Sequence, residues 1–138
     1  MQTQRKLVVE VCMANNLMPK DGEGSANTYV QVDFDVERRR TRTRAKDLNP
    51  VWEEAFEIPW FPISATPDYV CVEATVYHET RGRAPKFMGR VCIPGSSFAR
   101  RGEETLKMYN LERRGICSQI RGAIGLKVYY YDEELAAA

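Results

Sequence analysis

Through short stretches of this chain apolar and polar residues exchange places at every step, and a period of two is the pattern of a pleated strand with one buried face. The longest stretch is Tyr69–Tyr77, where Val70, Val72, Ala74 and Val76 turn inward and Tyr69, Glu73, Thr75 and Tyr77 turn out. Lys6–Met13 sets Leu7, Val9 and Val11 against Val8, Glu10 and Cys12, and Thr28–Phe34 sets Val30, Val32 and Phe34 against Tyr29, Gln31 and Asp33. Trp52, Phe56 and Ile58 mark another strand after the Asn49-Pro50 break, and Phe87–Ile93, Thr105–Asn110 and Ala123–Tyr131 supply three more. With a basic strand after a tight turn near Val36, these make eight short strands separated by Gly, Pro, Asn and Asp. The pattern predicts an all-β domain, an eight-stranded antiparallel β-sandwich, with helix limited to turns around Ser96–Arg100 and Ser118–Arg121.

A chain of 138 residues is one domain with room for a real core. That domain is expected to span residues 1–134, with Leu-Ala-Ala-Ala at 135–138 read as an appended remnant. Four dispersed cysteines with no C-x-x-C pair, and a single histidine, argue against a structural zinc site. Three of the cysteines, all but Cys117, fall inside strand-like runs, where small thiols are often buried or half-buried. The same lone histidine, with no nucleophile motif and no glycine-rich phosphate loop, argues against an enzyme. A net charge of +1 excludes bulk attraction to nucleic acid, so any electrostatic partner must be met by local segregation of charge.

Segregation is plain between Glu37 and Lys46, which reads E-R-R-R-T-R-T-R-A-K. If this stretch is one strand, Arg38, Arg40, Arg42 and Arg44 project from one side, and Arg39, Thr41 and Thr43 from the other. Four planar, permanently charged guanidinium groups on one face suit phosphate. The same residues suit a solvated edge strand that uses charge to discourage aggregation. A basic localisation or RNA-contacting segment is a third option, but no aromatic stacking platform alternates with the arginines, and no nucleic-acid partner is expected.

Three segments together resemble a C2 domain. They are Asn16 through Ala26-Asn-Thr-Tyr-Val30, then Thr43 through Leu48-Asn-Pro-Val-Trp52, and Val76-Tyr-His78 through Phe87-Met-Gly89. The last strand, Gly122-Ala-Ile-Gly-Leu-Lys-Val-Tyr-Tyr130, is similar to one that opens the chain in the other C2 permutation, which implies the type II topology. The sequences R-K-L-V-V-E-V, V-D-F-D and I-R-G-x-I-G-L-K-V-Y-Y-Y-D further resemble plant multiple-C2-domain and transmembrane-region proteins. That resemblance implies a tethering or trafficking module on the cytoplasmic side of membranes, at endoplasmic reticulum–plasma membrane contacts or plasmodesmata. Its expected partners are anionic lipids, phosphoinositide or phosphatidylserine, and further C2 domains of the parent chain.

The resemblance also implies where ligands sit. The five positions at which such domains usually hold calcium fall on Asp21, Asn27, His78, Thr80 and Lys86. Calcium wants six to eight oxygens, several of them anionic, and this set offers one carboxylate, so no cofactor and no calcium are expected. His78 is then expected to be a solvated loop residue. The loop carries Arg81, Arg83 and Lys86 instead, a permanent positive charge. Phosphoinositide contacts of the family fall on Arg40 and Arg42, with Tyr29 and Tyr77 as aromatic neighbours and Arg38 and Arg44 as supporting charge. The competing expectation is a C2 domain that binds acidic proteins or a copy of itself.

Overall fold

The computed structural model describes residues 2–61, 70–115 and 119–136. Tyr69, Cys117 and the turn expected from Ser118 lie partly or wholly outside them. Nine strands follow in order: β1 Thr3–Asn15, β2 Thr28–Phe34, β3 Glu37–Arg40, β4 Val51–Trp60, β5 Cys71–His78, β6 Lys86–Pro94, β7 Ala99–Arg100, β8 Lys107–Asn110 and β9 Ala123–Glu134. They form two sheets packed face to face. One runs β4-β1-β9 with β7 and β8 sharing the far edge of β9, and the other runs β3-β2-β5-β6.

The sandwich is the expected one, and the period of two explains its core. Leu7, Val9, Val11, Ile58, Ile124 and Leu126 line one inner face; Val30, Val32, Phe34, Val72, Ala74 and Val76 line the other. Two details differ from the sequence reading. The turn expected over Ser96–Arg100 is a single 3-10 turn at Gly95–Ser97, after which Ala99–Arg100 forms β7, parallel to β9 at Tyr129–Tyr130. Thr75 does face away from the core, but its neighbours cover it.

The basic stretch departs further. Phe34 and Glu37 close a hairpin over Asp35 and Val36, with Asp35 in the left-handed region at φ 54°. The arginine ladder then stops being a regular strand after Arg40. Gln31 pairs with Arg40, and the next bridge joins Thr28 to Arg44, so Tyr29 and Val30 on β2 face Thr41, Arg42 and Thr43. That extra residue is a bulge, and one extra residue reverses which face follows. Thr41 makes the insertion tolerable: its N–H donates to the Val30 carbonyl at 2.9 Å, and its buried hydroxyl accepts from the Val30 N–H at 2.9 Å. The backbone donor that the ladder would strand is thereby satisfied.

The loops that leave β1 and β5 and those that enter β2, β4, β6 and β9 gather at one pole, marked by Asn15, Thr28, Val51, His78, Lys86 and Ala123. The β1 start and β9 end lie at the opposite pole, where Thr3 pairs with Glu134.

Candidate functional site

The bulge divides the ladder. Arg38 and Arg40 pair with Asp33 and Gln31 and so stand on the outer face of the β3-β2-β5-β6 sheet, beside Tyr29 and Tyr77. Arg42 and Arg44 do not. Arg44 shares the face of Thr28 and turns to the other sheet, where its Nε donates to the Val51 carbonyl of β4 at 2.9 Å. The Arg42 backbone N–H donates to Glu54 at 2.9 Å, and its Nε lies 3.6 Å from the same carboxylate. These two arginines tie the edges of the two sheets together. The expected row of four guanidinium groups on one face is therefore two.

Beside the expected Tyr29 and Tyr77, two residues that the sequence did not single out, Phe87 and Arg114, join them. Tyr29, Tyr77 and Phe87 lie in register across β2, β5 and β6. Tyr29 and Tyr77 stack at 5.6 Å, and Phe87 meets Tyr77 edge-on at 6.5 Å. Arg40 lies 3.7 Å above the Tyr29 ring, and Arg114 lies 4.5 Å from the Phe87 ring, so an aromatic row carries a cation at each end. Tyr29 is on the expected outer face but is only 6 % exposed, because Arg40 lies over it. Phe87 reads from sequence as a strand residue, and only the β5–β6 register places it beside Tyr77. Arg114 sits in the segment after β8, where no periodicity marks it.

Several cations of this face already have an anion. Arg38 pairs with Asp33 at 2.7 Å, Arg40 with Glu79 at 3.0 Å and Arg90 with Glu73 at 3.6 Å, while on the opposite face Arg39 pairs with Glu37 at 2.9 Å. Exposed pairs of this kind are screened by solvent and contribute little, so they are readily exchanged. In the loop between β5 and β6 the charge is of another kind. Arg81 and Arg83 are exposed, and no carboxylate among the described residues lies within 4.0 Å of either. Gly82, at φ 69° with open space around it, lets the tip turn. Lys86 donates to the Lys20 carbonyl at 3.3 Å and so links this loop to the one after β1.

The five positions that the resemblance assigns to calcium are engaged otherwise. One Asp21 oxygen accepts from Ser25 N at 2.9 Å and Glu23 N at 2.8 Å, which holds its carboxyl below the ordinary value. The Asn27 side-chain oxygen accepts from Lys46 N at 2.9 Å, and Thr80 donates to the Ala84 carbonyl at 3.0 Å. Lys86 brings a cation.

His78 corrects the sequence expectation outright. It is 3 % exposed, not solvated, because β5 continues through it and packs it beneath the loop after β1. Its Nδ1 accepts from Asn27 N at 2.9 Å, and burial first, then Lys86, lowers its pKa from 6.5; Asp21 opposes and Lys20 adds to the shift. A base whose folded pKa lies below its unfolded value binds fewer protons when folded. Its contribution to stability is complete above pH 6.5 and is lost as pH falls below that value. His78→Asn, which keeps an acceptor but does not titrate, is expected to lose less thermal stability than the parent between pH 7.5 and pH 5.5. Equal losses in melting temperature would exclude His78 as the cause.

A sequence profile of the C2 domain family matches residues 5–111. Multiple C2 domain and transmembrane region protein 14 of Arabidopsis thaliana is 48% identical over 134 residues, covering 97% of this chain and 13% of the relative. Protein QUIRKY of Arabidopsis thaliana is 50% identical over 134 residues, covering 92% of this chain and 12% of its own length. The chain thus spans about an eighth of these relatives. Among solved structures, a C2 domain of plant Extended Synaptotagmin 1 superposes with a TM-score of 0.79 at 22% identity, covering 94% of this chain and 96% of that one. No helix among the described residues is long and apolar enough to cross a membrane.

Proposed function

The chain belongs to the C2 domain family, and on that premise we propose that it docks on anionic membrane without calcium, through the β5–β6 loop first and the Arg40–Tyr29–Tyr77 face second. The observation that carries this reading is the exposed Arg81–Arg83 tip, whose charge no described carboxylate neutralises. Lys20 and Lys86 add charge at the same end. Each basic residue at an anionic leaflet contributes about 1 kcal/mol, so four to six give roughly 4–6 kcal/mol, a millimolar to tens-of-micromolar attraction. Independence from calcium is supported by the internal hydrogen bonds that already occupy Asp21, Asn27 and Thr80.

Binding this weak suits a module used in series. The relatives named for multiple C2 domains and a transmembrane region carry such modules beside an anchor, where tethering raises effective concentration. We place this domain in that setting, as a membrane-tethering unit of the kind that works at endoplasmic reticulum–plasma membrane contacts or plasmodesmata. Its chemistry there is binding, with phosphatidylserine and phosphoinositide as the lipids met.

Vesicle co-sedimentation tests the reading. Phosphatidylcholine vesicles containing phosphatidylserine or phosphatidylinositol 4,5-bisphosphate are expected to pellet the domain equally in calcium and in chelator. Binding should decline as salt is raised from low to well above physiological strength, because screening then shortens toward a few ångströms. Sedimentation that needs calcium would overturn the calcium-independent reading, and none at low salt would remove the membrane altogether.

A further inference from the structure

Resting on the docking reading above, we propose that Glu79 is a built-in competitor for the Arg40 site, and that the site is thereby reserved for phosphate monoester headgroups. The carboxylate of Glu79 lies where an incoming anion would have to go. Its Oε1 accepts from Arg40 Nη2 at 3.0 Å, and the same Nη2 donates to the Thr43 hydroxyl at 3.2 Å. The guanidinium so held lies 3.7 Å above the Tyr29 ring, at the open end of the aromatic row. One guanidinium, one hydroxyl and an aromatic floor form an anion site, filled by the protein's own carboxylate.

Glu79 is fixed there by its backbone. Its N–H donates to the Asn27 carbonyl at 2.8 Å, and strand alternation turns it away from the buried His78 and toward the outer face. The contact is also weak enough to exchange, since both side chains are about half exposed, 48% each. Which anion can displace it follows from charge. A carboxylate or a phosphodiester brings one negative charge and gains nothing over Glu79. A phosphate monoester brings about 1.5 to 2 charges and three acceptor oxygens, and it can take Arg40 and Thr43 together.

The test is Glu79→Gln, which keeps shape and removes charge, measured with and without Arg40→Ala. On vesicles containing phosphatidylinositol 4,5-bisphosphate, E79Q is expected to bind about two- to five-fold tighter than the parent, the equivalent of one exposed ion pair. E79Q/R40A should bind no tighter than R40A. The parent should prefer these vesicles to phosphatidylserine vesicles of equal charge. A gain seen also with soluble inositol 1,4,5-trisphosphate makes the headgroup alone the ligand; a gain on vesicles only makes it the membrane-embedded lipid, and either supports the competitor. An undiminished gain in the R40A background would reduce Glu79 to bulk charge and overturn the proposal. So would a parent that binds and an E79Q that binds no better, although docking itself would then stand. If neither protein binds any anionic vesicle at low salt, competitor and docking fall together; if only E79Q binds, the competitor stands and was strong.

Discussion

Replacing Arg81 and Arg83 together by alanine is expected to weaken binding to phosphatidylserine vesicles about thirty-fold. Two cations at an anionic leaflet contribute about 2 kcal/mol, and about 1.4 kcal/mol is a factor of ten. The full effect is expected because neither guanidinium is offset by a described carboxylate and both are exposed. Arg38→Ala is the contrast. Arg38 pairs with Asp33 at 2.7 Å on the sheet face, away from the loop tip, so its charge is offset where it stands and binding should change by less than about three-fold. Titrating each variant with vesicles in chelator, at low salt, gives the comparison. If the loop variant loses no more than Arg38→Ala, the loop is not the leading contact.

Trp52→Ala is expected to lower the melting temperature by roughly 10–20 °C. Trp52 is 1 % exposed, and its indole N–H donates to the Thr28 carbonyl at 3.3 Å, joining β4 to β2 across the sandwich. Truncating a buried aromatic costs about 3–5 kcal/mol against a total of roughly 5–15 kcal/mol. For a domain of this size, each kcal/mol moves the midpoint by several degrees. Val36→Ala, at the exposed tip of the β2–β3 turn, should leave the midpoint within about 2 °C. A loss under about 5 °C for Trp52→Ala would mean that neighbouring side chains refill the space.

The sandwich was legible because burial writes itself into sequence at a period of two. Thr28–Phe34 is both the expected strand and β2. The short β7 was not legible, since two residues carry no period and parallel pairing with β9 is decided by tertiary contact. The site was half legible. Tyr29, Tyr77 and Arg40 meet as the alternation and the resemblance require. Arg42 and Arg44 do not join them, because the bulge that diverts them depends on a Thr41 hydroxyl standing in for a ladder bond. Nothing in R-R-R-T-R-T-R distinguishes that threonine from the next. His78 was misplaced for a similar reason: the end of a strand and the start of a loop look alike in sequence, and burial there is set by the loop after β1. The carboxylate partners were visible as residues but not as partners, since Glu79 and Arg40 lie 39 positions apart.

The pairing of Thr3 with Glu134 has a mechanical consequence. β1 and β9 are antiparallel, central neighbours in their sheet, and their outer ends share the pole away from the cationic loops. A pull that separates residues 3 and 134 meets the ladder end-on and opens it one rung at a time, beginning at Thr3–Glu134 and Arg5–Asp132. Such a domain yields to tension by peeling, at low force, rather than by sudden rupture of many rungs in shear. Both strand ends lie at the pole opposite the cationic loops, so peeling begins at the end of the ladder farthest from Arg81 and Arg83.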